Sequence, residues 1–170
     1  ADAANALYCL GFALAENGYL DEALRQFRAC EDLPSPTPVL MSSTLYGASW
    51  ALLASNRTDQ AKVKIDECRS IMGSVPMEHE LHQEVMLLYA DVLVGVCDYQ
   101  RAKSCFEDIL AKLRPDPESK PIDFGTVLYK FGRLCFVLGD TELARRTLDE
   151  CVRWKLQIDE KSRVLSAALG

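Results

Sequence analysis

Features that would point to chemistry are scarce in this 170-residue chain. Its two His, His79 and His82, fall together in the predicted solvated start of one helix, so no base is placed beside a nucleophile. Its nine Gly are dispersed, which excludes a glycine-rich phosphate loop. Its seven Cys lack CxxC spacing and fall in predicted helices, which favours reduced thiols over zinc or disulfides. We therefore expect no enzyme, and no catalytic, cofactor-binding or metal-binding residues.

Positive charge and long apolar runs are scarce as well. The 19 Lys and Arg are outnumbered by 25 Asp and Glu, and the net charge of -6 disfavours nucleic acid and anionic membranes as partners. No stretch approaches the roughly 20 apolar residues that a membrane-spanning helix needs. We expect a cytoplasmic protein, with a nuclear location compatible with the same features. Because the chain starts at Ala1 rather than Met, we expect a fragment of a longer protein.

What the sequence does contain is an internal repeat. Four turn-forming segments each precede an Ala, and these Ala residues are 38, 41 and 42 positions apart: Ala23, Ala61, Ala102 and Ala144. A bulky apolar residue follows each Ala one helical turn later: Phe27, Ile65, Phe106 and Leu148. The preceding helices carry a small residue at one shared position: Gly11, Ser49, Ala90 and Gly132. Two such columns predict paired helices that approach each other closely.

The periodicity predicts eight helices and the start of a ninth. They lie at 4–17, 20–32, 41–55, 58–72, 80–96, 99–113, 122–138 and 141–156, and the ninth starts near Asp159. Proline marks the boundaries between helix pairs, at Pro34, Pro36, Pro38, Pro76, Pro115, Pro117 and Pro121. A large residue, at Leu10, Tyr89 and Phe131, is expected in the apolar seam. The expected architecture is one all-α domain over 1–170, an antiparallel helix-hairpin solenoid with hairpins at 4–38, 41–76, 80–117 and 122–156 and a terminal helix at 159–170.

These columns resemble the tetratricopeptide repeat. The first unit carries the pattern as Leu7, Leu10, Gly11, Leu14, Ala23, Phe27 and Cys30, and the fourth as Leu128, Phe131, Gly132, Cys135, Ala144, Leu148 and Cys151. The units are longer than the usual length of about 34 residues, so they are similar to long variants of the repeat. The resemblance implies a right-handed stack of hairpins whose first helices line a concave groove for peptides or helices. It implies binding without chemistry.

A second face of the first helices is the candidate site. At spacings of four and three residues it reads Tyr8-Phe12-Ala15, Tyr46-Trp50-Leu53, Leu87-Asp91-Val94 and Tyr129-Arg133-Phe136. Its aromatic residues make the first two of these helices apolar on nearly all sides, which a single-sided stack does not require. Because Tyr and Trp dominate binding hot spots, we interpret this face as a groove for an apolar or amphipathic peptide or helix. The predicted binding residues are Tyr8, Phe12, Tyr46, Trp50, Leu53, Asp91, Tyr129, Arg133 and Phe136.

Two alternatives stay open at this point. The face could close on itself, or the chain could be a structural segment of a larger multi-subunit complex whose face packs against its parent chain or an obligate subunit. The last eight residues resemble the first helix of a further unit, with Leu169-Gly170 in the columns of Leu10-Gly11. We therefore expect the array to continue and the fragment to self-associate through its exposed ends.

The resemblance also raises the question of whether the chain binds the acidic C-termini of chaperones. Some tetratricopeptide domains hold acidic chaperone C-termini in a clamp of Lys, Asn and Arg side chains. The matching positions here are Asn5, Cys9, Gly47, Glu84 and Leu88, which supply no cation. Because Glu84 would repel a carboxylate, we do not expect a chaperone tail as partner, and any charged flanks of the partner should be basic.

Overall fold

The computed structural model describes residues 2–34, 37–75, 80–116 and 123–169. Within these ranges, side chains are described from residue 3 to residue 161. They form eight α-helices and no strand: α1 (Asp2–Glu16), α2 (Leu20–Glu31), α3 (Pro38–Ala54), α4 (Thr58–Ile71), α5 (Leu81–Gly95), α6 (Tyr99–Leu113), α7 (Phe124–Val137) and α8 (Thr141–Leu169). A single 3-10 turn, Met72–Ser74, follows α4. Pro36, Pro76, Pro117, Pro121, Gly170 and the predicted helix start at 122 lie outside the described residues.

Helix starts and turns follow local chemistry. The Thr37 side chain accepts a hydrogen bond from the Leu40 amide at 3.2 Å, and Pro38 provides the first residue of α3. Between the two helices of each hairpin, one residue has a positive φ, at the same 38, 41 and 42 residue intervals as the Ala column: Gly18, Asn56, Cys97 and Gly139. This left-handed residue ends the first helix and lets the chain reverse.

The two predicted columns meet at the helix crossings. All four Ala residues are buried, with exposures of 0, 0, 0 and 2% for Ala23, Ala61, Ala102 and Ala144. A Cβ atom built on Gly132 would lie 2.8 Å from Cγ of Leu148, so glycine lets this leucine approach the α7 backbone closely. The Ser49 hydroxyl donates to the Ala61 carbonyl at 3.0 Å. The repeat register predicted from the sequence is confirmed.

The helices belong to two compact units. Unit 1 (Ala1–Asp98) contains α1 to α5, where α1 packs on α2, α3 on α4, and the first helices α1, α3 and α5 contact one another in that order. Unit 2 (Tyr99–Gly170) contains α6, α7 and α8, with α7 packed against both neighbours. A single domain over 1–170 stays a prediction.

Two expectations are wrong in detail. The eighth helix does not end at 156 with a separate helix from Asp159, because α8 runs without a break to Leu169. No Gly or Pro interrupts this stretch, so nothing stops the helix. Leu10 is 48% exposed rather than seated in the seam, whereas Tyr89 and Phe131 are buried at 2% and 5%. Within the described ranges α1 packs against α2 and α3, and Leu10 is not among the side chains in their shared core.

Candidate functional site

Four half-buried aromatic side chains on α1 and α3 make up what we call the aromatic face: Tyr8, Phe12, Tyr46 and Trp50. Tyr46 is linked to the others through Tyr8, which influences the pKa of its hydroxyl. The rings of Phe12 and Trp50 are stacked, with centroids 6.0 Å apart and planes 18° apart. The Tyr8 ring lies 6.0 Å from that of Phe12 in a tilted arrangement. The sequence prediction that these side chains share one face of the first helices is thus matched within unit 1.

The aromatic face is held together from below by Phe27 of α2. This ring is fully buried, and its centroid lies 6.5 Å from that of Tyr8. A Cβ atom on Gly11 would lie 2.8 Å from the Phe27 ring, and one on Gly47 would lie 2.6 Å from it. The two glycines therefore admit one ring between α1 and α3, and this contact sets how close the two helices come.

Two carboxylates on α5 influence the electrostatics of the aromatic face. Burial first, and then the negative charges of Glu84 and Asp91, together raise the pKa of the Tyr46 hydroxyl to about 12. Burial and Glu84 also raise the pKa of Tyr8. Both phenols stay protonated at neutral pH, so they offer hydrogen-bond donors beside a region of negative potential.

The other predicted residues of unit 1 lie at the edge of this face. Leu53 is half-buried and its Cδ1 lies 3.3 Å from the position that a Cβ atom of Gly95 would take, so this side chain packs against α5. Asp91 is half-buried on α5. The sequence assigns Glu84 only to a position of the chaperone clamp, because its effect on Tyr46 depends on the packing of α5 against α3 and not on a spacing within one helix.

The predicted residues of unit 2 form an exposed strip along α7. Tyr129 is 50% exposed and Phe136 is 68% exposed. The guanidinium of Arg133 lies over the Tyr129 ring, 5.6 Å from its centroid, in a cation–π contact. That this strip and the aromatic face line one groove stays a prediction.

The positions matching the chaperone clamp are occupied by side chains unsuited to it. Asn5 and Cys9 are exposed, Glu84 is half-buried and Leu88 is buried. Gly47 lies under the Phe27 ring, where any larger side chain would collide. No cation from these five positions faces the aromatic face.

Three of the thiols and the one described histidine are hydrogen-bonded to backbone carbonyls. Three cysteines of the second helices donate to a carbonyl 26 residues earlier on the paired first helix: Cys30 to Ala4 at 3.4 Å, Cys68 to Ser42 at 3.2 Å and Cys151 to Gly125 at 3.2 Å. His82 is half-buried and its Nε2 donates to the Val75 carbonyl at 3.2 Å, so the predicted solvated turn is wrong for this residue, while His79 lies outside the described residues.

The described ranges contain neither a metal-binding cluster nor a membrane-spanning helix. No cluster of three or more His, Cys, Asp or Glu side chains there is arranged to hold a metal ion. Among the described helices, none is both long enough and apolar enough to cross a bilayer.

The model of the tetratricopeptide repeat family matches residues 4–29, which span most of α1 and α2. The chain carries a tetratricopeptide-type repeat. The matched segment includes Gly11, Ala23 and Phe27, whose packing defines the first hairpin. Among curated proteins none matches the chain. The all-α hairpin fold and the tetratricopeptide match together support a protein-interaction module with protein partners.

Proposed function

We propose that unit 1 binds an amphipathic peptide or helix across the aromatic face. The observation that carries this proposal is the half-buried group of rings, in which Phe12 and Trp50 are stacked and all four side chains stay partly exposed. Aromatic side chains of this kind provide large contact area at low entropic cost, which is why they dominate binding hot spots. The apolar side of the partner lies on the rings.

The charge around the aromatic face selects the flanks of the partner. Glu84 and Asp91 on α5 act on the phenol of Tyr46, and the clamp positions contribute no cation. A Lys or Arg beside the apolar side chains of the partner would meet these carboxylates, whereas an acidic flank would be repelled. The partner is therefore a basic amphipathic segment, and acidic chaperone tails are disfavoured. Leu53 lies at the edge of the aromatic face in unit 1 and belongs to the same proposed binding site. We propose Tyr129, Arg133 and Phe136 separately, as a binding strip of unit 2.

Tryptophan fluorescence tests this proposal. In a Trp154→Phe background Trp50 is the one remaining tryptophan, and it reports directly on the aromatic face. A 14-residue amphipathic peptide of Leu and Lys should shift its emission to the blue, and the matched peptide of Leu and Glu should not. Tyr46→Asp should abolish the shift while the circular dichroism spectrum is kept. Tyr19→Asp, which changes a ring that is 60% exposed in the turn before α2, is the matched control and should bind normally.

Two results would contradict the proposal. Equal blue shifts of the Trp50 emission with the Leu/Lys and Leu/Glu peptides would show that Glu84 and Asp91 do not select the charge of the partner. A Trp50 blue shift of unchanged size and affinity in Tyr46→Asp would show that Tyr46 is not part of the binding site.

A second candidate is favoured by apolar exposure in unit 2. Phe136 and Val137 on α7 are 68% and 62% exposed, and Val152 and Leu156 on α8 are 58% and 61% exposed. Isolated exposed apolar residues are ordinary, but adjacent pairs on two helices favour a surface that the parent chain or an obligate subunit covers. In that case the chain should self-associate, and sedimentation velocity should show a mass that rises with concentration. Phe136→Ser with Leu156→Ser should restore a monomer.

A further inference from the structure

A cavity of about 270 Å³ opens between the second helices of the first two hairpins, α2 and α4. Its floor is apolar, with Ala48 and Leu52 of α3 almost completely buried, and its walls include Leu24 and Val63. Residues two positions apart on a helix point in roughly opposite directions. Ala48 and Leu52 each lie two positions from a residue of the aromatic face, so the cavity opens on the other side of α3. It is therefore a separate site from the aromatic face.

The rim of the cavity carries three cations and one carboxylate: Arg28, Arg57, Lys64 and Glu31. The Lys64 ammonium donates to Glu31 at 2.6 Å, and this ion pair closes one end. Arg57 donates to Gln60 at 2.6 Å and lies 3.7 Å from Asp21, a long ion pair. Within the part of the chain that the structure describes, the Arg28 guanidinium has no hydrogen-bond or ion-pair partner. The surplus of positive charge contrasts with the net charge of -6 of the whole chain.

A second depression continues this positive region along the start of α2. It shares Leu24, Arg28 and Arg57 with the cavity and adds Arg25, which pairs with Glu22 at 3.1 Å, and Asp21, whose carboxylate lies 3.7 Å from Arg57. Three arginines therefore face one carboxylate in its lining. The charged region is thus longer than the cavity itself. An extended chain with successive carboxylates matches this shape better than a compact small molecule, because only the chain can use both the apolar floor and the row of arginines.

We propose that this α2–α4 groove binds an acidic peptide segment. One aliphatic side chain of the peptide fills the cavity between Leu24, Leu52 and Val63. A neighbouring carboxylate pairs with Arg28 and Arg57, whose planar guanidinium groups suit bidentate recognition of carboxylates. The closed Lys64–Glu31 pair limits the groove at its other end.

The test uses three defined peptides and methyl-labelled full chain. The probe is acetyl-Glu-Glu-Leu-Glu-Glu-amide, and its comparisons replace either the Leu by Ser or every Glu by Lys. The probe should shift the methyl resonances of Leu24, Leu52 and Val63 and leave the indole resonance of Trp50 unchanged. Both comparison peptides should bind at least tenfold more weakly. Binding should also weaken as NaCl is raised, because the contacts are charged and near the surface.

Two variants and a matched control complete the experiment. Arg28→Glu should weaken binding of the probe about tenfold or more, since it replaces a charge-assisted contact by repulsion. Val63→Asp, at a side chain that is 66% exposed, should weaken it without unfolding the chain. Lys112→Glu makes the same charge change at an exposed position of α6 and should have no effect.

Three outcomes would overturn the proposal. The first is the absence of methyl shifts at millimolar probe. The second is equal binding by the Lys peptide or by the Arg28→Glu variant. The third is octanoate shifting the same methyl groups with an affinity equal to that of the probe, which would identify a site for small amphiphilic acids.

Discussion

The first helices of the two units use aromatic residues at matching positions in different ways. In unit 1 the rings of Tyr8 and Phe12 lie against each other, and Phe12 stacks on Trp50. In unit 2 Tyr129 and Phe136 are 50% and 68% exposed. The matching positions therefore do not by themselves create a packed aromatic surface. A neighbouring first helix has to supply a second set of rings.

The contacts that hold the helices differ accordingly. Phe27 sits between Gly11 and Gly47, so an aromatic side chain joins α1, α2 and α3. In unit 2 the α7 start is held to α8 by polar contacts, because Lys155 donates to Asp123, which also caps α7. The edge of the Trp154 ring also meets Phe124, with centroids 5.3 Å apart.

Removing the shared ring of unit 1 should have the largest effect. Phe27→Ala leaves a cavity between two glycines that cannot fill it, so we expect a loss of about 3–5 kcal/mol in the free energy of unfolding. Urea denaturation measures this loss. Amide hydrogen exchange should show the opening of α1 to α3 while α7 and α8 stay protected. Uniform loss of protection in both units would break the distinction between them.

Truncating one ring of the stack should cost less. Phe12→Ala removes a half-buried side chain and its stacking on Trp50, so we expect a loss of about 2 kcal/mol. The emission of Trp50 should shift to the red as its ring becomes wetter. Phe136→Ala is the comparison in unit 2, where the exposed ring should change the unfolding free energy by less than about 0.5 kcal/mol. Equal losses for the two variants would contradict the difference in packing.

The polar contacts of unit 2 should show a smaller, pH-dependent effect. Partial burial of Asp123 acts to raise its pKa, but hydrogen bonds from Lys155 and Thr126 outweigh it, so the pKa is lowered. The pKa of Asp123 in the folded chain lies below the unfolded value of about 3.9. The ionised carboxylate therefore stabilises the fold above that pH, and this stabilisation is lost as the pH falls through the folded-state pKa. Asp123→Ala should cost about 1 kcal/mol at pH 7.

Chemical denaturation between pH 7 and pH 2 measures this dependence. The difference between the wild type and Asp123→Ala should shrink at the acidic end. Asp123→Asn, which keeps a capping side chain without the charge, should lie between them at pH 7. A difference that is constant over the whole pH range would show that the charge has no role.

The smallest effect concerns ionisation of the aromatic face. Burial raises the pKa of Tyr46 to about 12, so its phenol stabilises the fold fully below the unfolded value of about 10 and loses this contribution as the pH rises toward 12. Absorbance of tyrosinate in the folded chain should show one late-titrating group that is missing in Tyr46→Phe. Glu84→Gln should move this titration to lower pH. If the late titration persisted in Tyr46→Phe, it would not belong to Tyr46. If its pH were unchanged in Glu84→Gln, this carboxylate would have no effect on the phenol.

Structural features that recur in every repeat could be predicted from the sequence. The Ala column and the turn residues recur at fixed intervals, so the hairpins and their register could be predicted, and Ala102 is buried as expected. The exposure of Leu10 could not be predicted, because it depends on which helices surround α1. The role of Gly47 depends on the Phe27 ring, a contact between helices that no spacing within α3 indicates.

The same distinction applies to the binding surfaces. Tyr8 and Phe12 share a helix face, and their spacing of four residues was enough to group them. The α2–α4 groove was missed because Arg28 and Arg57 lie on separate hairpins and come together only through packing. Patterns within one helix are visible in a sequence, whereas pockets between helices are not.

The repeated thiol contacts give each of three hairpins an internal reporter of its own opening. Burial raises the pKa of the Cys68 thiol to about 12 and also raises the pKa of Cys151, so little reactive thiolate forms while these hairpins are closed. Separating a second helix from its partner frees the thiol and returns it to ordinary reactivity. The alkylation rates of Cys30, Cys68 and Cys151 under native conditions therefore record how often each hairpin opens.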